Sequence, residues 1–517
     1  MNGAHALLAT LRANGVDVCF ANPGTSEMHF VAALDDAATM RAVLCLFEGV
    51  ATGAADGYGR IKGTPAATLL HLGPGLGNGW ANLHNARRAR TPLLNIVGDH
   101  AIYHAEFDAP LQSNIEDLAR PLEGWFRRSM SPSDIAGDTA DAILASYGPP
   151  GRVATLVLPA DVSWSEVSGE VVAPVVTPPR LLEIDEVELA SALVALRTKR
   201  CALFVGGAAV RTVPLALAQR IANATSAKLL METFPSVMDR GRNVADPERL
   251  IYVSEFAVSQ LQDCDAVIVI GAREPVGFFA YPNVPSRLIA DGAVVINLAP
   301  PGSDVLEALE ALNDALQTAP LTFDVGEPPA APTGELTTQS FAAAVGATLS
   351  EGLIVADESN TSGVPLFGAT RFSPEHLWMT LTGGAIGYGL PVALGAAIAS
   401  GRRVLALESD GSMMYTLQAL WTMAREGVDV TVVGLSNRSY AVLTMELSRV
   451  GAVSETATSA RMLELDDPTL DLAGLARAQG VPSVRVTTAE ELVTALERSY
   501  ATPGPMFIEA VLPKGLH

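Results

Sequence analysis

Short runs of β-branched and other apolar residues alternate with helical patterns along nearly all of this chain of 517 residues. This alternation is typical of β-α-β units, in which successive strands pair in parallel. The first third contains runs at 16–21, 42–47, 66–71 and 93–98. Further runs lie at 201–207, 265–271 and 293–299, and then at 352–359, 403–411, 429–437 and 505–512. The pattern predicts an α/β protein with doubly wound parallel sheets.

Two proline-rich stretches interrupt the alternation. Residues 165–185 turn to valine, proline and glutamate, and GEPPAAPTGE occupies 326–335. Such composition is typical of linkers. We therefore expect three α/β domains, over residues 1–165, 185–325 and 336–517.

Charge and hydropathy exclude two kinds of partner. The chain has 34 basic and 56 acidic residues, a net charge of −22, which would repel a nucleic-acid backbone. Residues 378–401 carry no charge, but their six glycines and Pro391 suit a tightly packed core better than a membrane helix. The N-terminus shows no secretory signal, so we expect a cytoplasmic protein without a membrane partner.

The strongest local pattern runs from Glu408 to Tyr440. A strand ends at Asp410, an amphipathic helix is predicted over 414–427, and the next strand ends at Asn437. Because the carboxyl ends of parallel strands share one sheet edge, Asp410 and Asn437 should meet there. A carboxylate and an amide oxygen suit Mg²⁺ or Ca²⁺, and the start of the following helix favours a phosphate. An unrelated turn with a helix cap would give the same two residues.

The whole stretch resembles the Gly-Asp-Gly…Asn-Asn signature of thiamine-diphosphate (ThDP) enzymes, with about the usual interval. Ser409 replaces the first glycine and Ser436 the first asparagine. The resemblance implies that Asp410, Asn437 and the backbone carbonyl of Ser439 bind Mg²⁺, which bridges to the cofactor diphosphate. It also implies diphosphate contacts from Gly411, Ser412 and Tyr440.

Two upstream segments extend the resemblance. GGAIGYGLP (383–391) is similar to the family segment that holds the two cofactor rings. By position, Ile386 is the apolar wedge between the rings, and the Gly384 carbonyl accepts a hydrogen bond from the 4′-amino group. DESNTSG (357–363) resembles the diphosphate-contacting turn, which implies a contact from Asn360. An ordinary core position is the alternative for Ile386.

The cofactor also needs a carboxylate that exchanges a proton with N1′ of its pyrimidine. LCLFEGVATGAADGYGR (44–60) places Glu48 after an apolar strand and before a helix of small residues. This resembles the family's strand-Glu-helix segment and implies that Glu48 is catalytic and contacts the cofactor. Alone, Glu48 would be read as a favourable charge at a helix N-terminus.

Two more glycine-bearing turns resemble family segments that line the active site. The segment FANPGTSE (20–27) and the histidine of LLHLGPGLGN (69–78) resemble the corresponding segments of benzoylformate decarboxylase. The GPG of the second segment and DAPLQ (108–112) resemble those of acetolactate synthase instead. The resemblance implies that Gly24 contacts the cofactor. It assigns four residues to the substrate site: Thr25, His71, Asn78 and Gln112. His71 could protonate or orient a carbonyl, or it could be a hydrogen-bonded packing histidine.

The middle region gives little indication of a ligand. VGGAAVRT (205–212) follows a strand but lacks the spaced glycines of a dinucleotide fingerprint. The related domain holds FAD in acetolactate synthases and ADP in oxalyl-CoA decarboxylases, but 231–243 contains no recognisable FAD-contact segment. We expect a structural middle domain without FAD.

The resemblance covers the chain in the order pyrimidine-binding, middle and diphosphate-binding domain, and is closest to acetolactate synthase large-subunit-like proteins. Three positions depart from related enzymes: Gly49 replaces a synthase Gln, FFAYP (278–282) replaces a decarboxylase histidine, and Leu443 replaces a pyruvate decarboxylase Glu. The resemblance implies a ThDP- and Mg²⁺-dependent 2-oxo acid decarboxylase or carboligase. The alternatives are a benzoylformate-decarboxylase-like enzyme for aryl or branched 2-oxo acids and a catalytically idle subunit. Because family active sites combine two chains, a homodimer or homotetramer is expected.

Overall fold

The computed structural model describes residues 1–37, 40–168, 173–323, 326–452 and 457–515. The described chain contains three sheets, of six, five and seven strands. Each apolar run predicted as a strand contributes to one of these sheets, so the predicted α/β class is confirmed. Residues 169–172 of the predicted linker, and the predicted domain ends at 325 and 517, lie outside the described residues.

The first sheet is wholly parallel. Its strands are β1 (Val18–Asn22), β2 (Arg41–Leu44), β3 (Ala66–Leu70), β4 (Leu93–Asp99), β5 (Trp125–Arg128) and β6 (Val153–Pro159). They pair in the order β2-β1-β3-β4-β6-β5. β4 and β6 are buried throughout, because helices cover both faces of such a sheet. The helices are α1 (Gly3–Ala13), α2 (Met28–Ala33), α3 (Glu48–Lys62), α4 (Leu72–Ala89), α5 (Ile115–Ala119), α6 (Ile135–Tyr147) and α7 (Ala160–Trp164).

The middle region forms a five-stranded parallel sheet. The strands of this region are β7 (Cys201–Val205), β8 (Lys228–Met231), β9 (Val237–Arg240), β10 (Glu248–Arg249), β11 (Ala266–Ile270) and β12 (Val294–Ala299). All except β9 pair in the order β10-β8-β7-β11-β12. The helices of this region are α8 (Glu186–Thr198), α9 (Thr212–Thr225), α10 (Ser254–Leu261) and α11 (Val305–Leu316).

The third sheet is the largest and borrows a strand from the middle region. Its own strands are β13 (Ile354–Glu358), β14 (His376–Thr380), β15 (Val404–Ser409), β16 (Val430–Ser436), β17 (Ser483–Val486) and β18 (Met506–Val511). The order is β17-β18-β16-β15-β13-β14-β9. The helices are α12 (Thr338–Thr348), α13 (Leu366–Ala369), α14 (Gly389–Ser400), α15 (Asp410–Met413), α16 (Ala419–Glu426), α17 (Ala441–Arg449), α18 (Ala457–Arg461), α19 (Leu472–Ala478) and α20 (Ala489–Ala501).

The borrowed strand β9 is the one antiparallel member of the described sheets. It pairs with β14, placing Arg240 opposite His376 and Val237 opposite Met379. The sequence did not indicate this strand, because the four residues VMDR carry too short a pattern. Its pairing joins the middle region to the third sheet through backbone hydrogen bonds.

Helices α3 and α14 join the first and third regions. A Cβ on Gly57 would collide with the carbonyl of Val392, and one on Gly395 would collide with that of Ala54. Glycine is therefore needed at both positions for the helices to cross this closely. The crossing holds the beginnings of both helices, and the loops before them, in a defined relation.

The uncharged segment 378–401 lies in this core. Its strand portion contains the fully buried Trp378, and the portion from Gly389 to Ser400 forms the short helix α14. Among the described residues, no helix has both the length and the apolar character needed to span a membrane. The prediction that this segment packs inside the protein is confirmed.

Candidate active site

The turns that follow β15 and β16 lie side by side. Asp410 is the first residue of α15, and Asn437 directly follows β16. These strands are parallel neighbours, with Ser409 opposite Leu435, so their carboxyl ends share one sheet edge. Oδ2 of Asp410 accepts the backbone N–H of Arg438 at 2.6 Å. The two predicted metal ligands are thus brought together.

The N–H groups around Asp410 stabilise its buried negative charge only in part. Burial raises its pKa to about 6, and the N–H groups of Arg438 and Gly411 oppose this rise. Oδ1 of Asn437 accepts the N–H of Ser439 at 3.1 Å. Carboxylate, amide and carbonyl oxygens are the donors that Mg²⁺ prefers, so the oxygens of Asp410, Asn437 and Ser439 fit this ion.

No group of three His, Cys, Asp or Glu residues that could hold a metal exists in the described ranges. The predicted Mg²⁺ ligands contain only one carboxylate, and the remaining donors are amide and backbone oxygens. A site of this kind relies on the diphosphate for further oxygens. Metal and cofactor are therefore expected to bind together.

The predicted diphosphate contacts surround the same turn. Nδ2 of Asn360 donates to the hydroxyls of Ser409 at 3.1 Å and Ser412 at 3.0 Å. A Cβ on Gly411 would collide with the ring of Tyr440, so only glycine lets this ring close over the turn. The structure places Asn360, Gly411, Ser412 and Tyr440 around one small region. Ser409, the departure from the family signature, is part of this network.

The loop 383–387 carries the predicted ring-binding residues. Gly384 and Gly387 have φ values of +73° and +90°, a region that favours glycine. Gly384 is exposed and the Ile386 side chain is partly buried against the neighbouring core. Both predicted residues are therefore accessible on one short, conformationally restricted loop.

Side chains of helix α4 in the first region form hydrogen bonds with this loop. The sequence did not indicate these contacts. Nδ2 of Asn82 donates to the carbonyl of Gly387 at 3.1 Å, and Nδ2 of Asn85 donates to that of Ala385 at 2.8 Å. Asn85 Oδ1 also accepts the N–H of Ala385 at 3.3 Å. The available sequence signal was the pair Asn82 and Asn85, which lie one helical turn apart, since polar groups on a packed helix face need partners.

Two buried glutamates below the loop were also missed. Glu358 ends β13, and the parallel register places it opposite Glu408 on β15. Burial raises the pKa of both carboxyl groups, and the charge of Glu358 raises that of Glu408 further. Acidic residues at matching positions of two buried neighbouring strands were the sequence signal.

Glu48 is the first residue of α3, whereas the sequence predicted a position directly before this helix. Its side chain is buried, and its Oε2 accepts a hydrogen bond from Nδ2 of Asn78 at 3.0 Å. Asn82 donates to the carbonyl of Gly49 at 2.9 Å as well as to Gly387. The structure therefore brings Glu48 and Asn78 together, and it joins the start of α3 to the loop 383–387 through one side chain.

His71 pairs with an acid that was not singled out. Its Nδ1 donates to Oε2 of Glu27 at 2.8 Å, and the same oxygen accepts the N–H of Gly24 at 2.7 Å. A Cβ on Gly24 would collide with the imidazole ring. Gly24 and His71 are thus in contact, and the acid Glu27 belongs to the quoted FANPGTSE motif.

The remaining two predicted substrate residues lie in loops at this edge. Thr25 begins the 3₁₀ turn Thr25–Glu27 and is exposed. Gln112 is half-buried, and its Oε1 has no hydrogen-bond partner among the described residues. The adjacent Ser113 packs on Gly73, where a Cβ would collide with its hydroxyl. Both loops therefore border the turn that carries His71.

The helix predicted over 414–427 begins later than expected, at Ala419. Residues 414–418 form turns, and the Thr416 hydroxyl donates to the carbonyl of Gly387 at 3.0 Å. This tertiary hydrogen bond to the loop 383–387 competes with helix formation. The predicted boundary was wrong because the sequence does not show that contact.

Comparisons with known proteins agree with this geometry. Residues 1–120 match the family described as "Thiamine pyrophosphate enzyme, N-terminal TPP binding domain", and residues 364–510 match "Thiamine pyrophosphate enzyme, C-terminal TPP binding domain". The two matches contain Glu48 and Asp410, respectively.

Related proteins match along the whole chain. A Mycobacterium tuberculosis protein named "Putative acetolactate synthase large subunit IlvX" is 51% identical over 517 residues, 99% of each chain. Benzoylformate decarboxylase of Pseudomonas aeruginosa is 28% identical over 96% of each. The structure of a ThDP-dependent 4-hydroxybenzoylformate decarboxylase from Rhodococcus jostii shares the fold, with TM-score 0.82, 24% identity and full coverage of both chains. The chain belongs to the thiamine pyrophosphate enzymes, as the sequence predicted, and is an enzyme of carbon–carbon bond chemistry.

Proposed function

We propose that this protein is a ThDP- and Mg²⁺-dependent decarboxylase and carboligase of 2-oxo acids, similar to acetolactate synthase. The observation that supports this most is that the Asp410–Asn437 turn lies beside the loop 383–387, to which Thr416 is bonded, while the first region holds Glu48 buried against Asn78. When bound, ThDP supplies a nucleophilic carbon and accepts the electrons released by decarboxylation. The name of the relative that is 51% identical favours the acetolactate-synthase type.

The protein's own groups would have separate roles. Asp410, Asn437 and the Ser439 carbonyl hold Mg²⁺, and the Asn360 region contacts the diphosphate. Glu48 holds a proton for exchange with the pyrimidine, while Asn78 fixes the orientation of its carboxylate. His71, held by Glu27, presents Nε2 to the substrate carbonyl.

Positive charge beside the site supports an acidic substrate. A cavity of about 780 Å³ lies between the first and middle regions and extends to Phe278 and Thr382. Its lining includes Arg87, Arg88, Arg90, Arg211 and Arg273 together with the acids Glu232, Glu274 and Asp304. In a chain of net charge −22, the excess of arginine over acidic residues in this lining favours anions locally. We propose that 2-oxo acid anions are the substrates.

Aromatic side chains beside Gly384 favour a second candidate, a benzoylformate-decarboxylase-like enzyme for aryl or branched 2-oxo acids. The ring tip of Phe278 would lie 2.6 Å from a Cβ on Gly384, so this ring lies directly against the predicted cofactor loop. Phe279 packs beside Phe278, with ring centroids 5.1 Å apart. An apolar wall at this position suits an apolar donor side chain. The intact Glu48 and Asp410 argue against an idle subunit.

The middle region supports a role without FAD. Oε1 of Glu232 accepts the N–H of Gly207 at 3.0 Å, and a Cβ on Gly206 would lie 2.6 Å from that carboxylate. A dinucleotide phosphate would need the N–H groups of this turn, where an acidic side chain now lies. We propose a structural middle domain, in a cytoplasmic homodimer or homotetramer.

The test is CO₂ release by protein reconstituted with ThDP and Mg²⁺, with products identified by NMR. The donors are pyruvate, 2-oxobutyrate, benzoylformate and branched 2-oxo acids. Ligation products identify a carboligase, whereas aldehydes alone identify a decarboxylase. Glu48→Gln should lower turnover by at least about a hundredfold, while Glu497→Gln, an exposed change, should not. No release from any donor, with wild type equal to Glu48→Gln, would contradict the proposal.

A further inference from the structure

Glu358 lies under the predicted cofactor loop and has no role in the function proposed above. It is the last residue of β13 and is 2% exposed. Its Oε1 accepts the N–H of Gly387 at 2.8 Å. Its Oε2 accepts the N–H groups of Tyr388 at 2.8 Å and Gly389 at 2.7 Å. One carboxylate therefore binds the backbone of three successive residues.

These three residues connect the loop 383–387 to α14. The first N–H groups of a helix have no partner inside that helix, so the carboxylate both satisfies them and fixes their position. Ile386 directly precedes the first of the bound residues, and Gly384 lies two positions further upstream. The orientation of the Gly384 carbonyl and the Ile386 side chain consequently depends on where Glu358 holds the chain.

A buried glutamate is an unfavourable residue for capping a helix at this position. A Cβ on Gly389 would collide with a carboxyl oxygen of Glu408, so a second acid lies against the same backbone. Neither carboxyl oxygen of Glu408 has a hydrogen-bond partner among the described residues. Two adjacent buried acids are less favourable than a neutral cap such as Ser or Thr. A function that needs three bonds from one rigid acceptor accounts for Glu358 better than helix stability does.

We propose that Glu358 is a positioning residue for the cofactor. By holding the N–H groups of Gly387, Tyr388 and Gly389, it presents the Gly384 carbonyl and the Ile386 side chain to the cofactor rings. Glu358 holds the loop from the third sheet, together with the side chains of Asn82 and Asn85 on α4 and of Thr416, which bind carbonyl groups of the same loop. The inference rests on the proposed function, because the loop must be the ring-binding segment.

The first experiment follows amide hydrogen exchange in the apoprotein, which needs no cofactor. In Glu358→Gln, the NH2 group that replaces one carboxylate oxygen cannot accept hydrogen bonds, so at least one of the three N–H groups loses its partner. Exchange at residues 387–389 should become at least about tenfold faster, with the far-UV spectrum and the exchange of other segments unchanged. Glu408→Gln is the matched control, because it neutralises the neighbouring buried acid and leaves all three bonds in place. Unchanged exchange at 387–389 in Glu358→Gln would overturn the inference.

The second experiment uses the same variants with ThDP and Mg²⁺. Because the diphosphate and metal contacts are intact, Glu358→Gln should keep its KM for ThDP within about threefold. Its kcat and the rate of C2 hydrogen–deuterium exchange at saturating ThDP should fall about tenfold to a hundredfold, since misplacement by 1 Å can cost this much. A merely structural role would instead weaken all ThDP binding and leave the rate of the bound fraction unchanged.

The outcomes separate the two proposals. Wild-type protein that does not bind ThDP would overturn the proposed function and, with it, the role of Glu358 toward the cofactor. ThDP binding by wild type, with unchanged kcat and C2 exchange in Glu358→Gln, would overturn the positioning role alone. If Glu358→Gln does not fold, Glu358→Asp gives the same test, because its shorter carboxylate cannot reach all three N–H groups.

Discussion

Nδ1 of His71 lies 2.8 Å from Oε2 of Glu27, a carboxylate that is completely buried. Burial raises the pKa of Glu27, while the charge of His71 and the N–H of Gly24 oppose this rise. A carboxylate that accepts from Nδ1 fixes the tautomer and leaves Nε2 for a reacting group. The function of His71 should therefore depend on Glu27.

Replacing Glu27 by Gln should impair catalysis through His71, because the Gln side-chain oxygen can still accept the N–H of Gly24. We expect kcat/KM to fall about tenfold or more, because the amide no longer stabilises a protonated imidazole. In a His71→Ala background, Glu27→Gln should have almost no further effect, as expected for groups that act as a unit. The measurement is the pH dependence of kcat/KM for the wild type, both single variants and the double variant. Additive losses would show that the two residues act independently.

Asp410→Asn should abolish the dependence of cofactor binding on Mg²⁺. The variant loses the only carboxylate of the predicted metal site, and we expect ThDP affinity in Mg²⁺ to fall at least about a hundredfold. Fluorescence titrations with ThDP, in Mg²⁺ and in EDTA, provide the measurement. Asp314→Asn, an exposed change in α11, is the control and should behave as wild type. ThDP affinity that is equal in Mg²⁺ and EDTA for the wild type would contradict the metal site.

The buried ion pair of Arg60 and Asp56 should be important for stability. Nη2 of Arg60 donates to Asp56 at 2.6 Å, and Nη1 donates to the carbonyls of Ser236 at 3.3 Å and Thr380 at 2.9 Å. Arg60→Met leaves the buried Asp56 without its ion-pair partner and should lower the free energy of unfolding by about 3–5 kcal/mol.

Urea denaturation measures the Arg60 effect, with exposed Arg498→Met as the control. The double variant Asp56→Leu/Arg60→Met should recover part of the loss, because no unpaired charge remains. A loss for Arg60→Met no larger than that for Arg498→Met would mean that the pair does not join the three regions energetically.

His376 should make the protein less stable in acid. Burial is the main cause that lowers its pKa to about 4 from the usual 6.5, and the nearby Arg240 adds to this. Between these values the unfolded state binds the proton and the folded state does not, so stability falls as the pH decreases from 6.5 toward 4. At pH 4, protonation of this histidine in the unfolded state lowers the free energy of unfolding by about 3 kcal/mol.

Denaturation across this pH range tests the role of His376. In His376→Gln the loss of stability on acidification should be smaller than in the wild type, whereas exposed His29→Gln should leave it unchanged. If the free energy of unfolding falls equally with pH in the wild type and in His376→Gln, His376 does not cause the acid sensitivity.

The predicted strands and several site residues could be identified from local patterns. Asp410 and Asn437 follow apolar strands in one β-α-β unit, and the parallel geometry of that unit requires them to meet. Gly411 and Glu48 were assigned because their segments resemble the motifs of ThDP enzymes. These features depend on residues close together in the chain, where side-chain periodicity and turn chemistry are visible.

The groups that fix the loop 383–387 could not be identified in this way. Asn82 and Thr416 bind the carbonyl of Gly387 from distant elements, and Glu358 binds its N–H. No periodicity links these positions, because their partners are set by how the first region packs on the third. The helix boundary at Ala419 differs from the prediction for the same reason.

The sequence by itself determined the α/β class, the order of the three sheets along the chain and the chemical groups at the strand ends, because these follow from local apolar patterns and strand-to-helix turns. Only the tertiary structure decided which of those groups are held by hydrogen bonds, and which residues provide those bonds. Through burial and packing, Glu27 became the hydrogen-bond partner of His71, Asn78 that of Glu48, and Glu358 that of the loop 383–387. Buried polar groups must find partners wherever the fold supplies them, and that choice depends on contacts between residues distant in the chain.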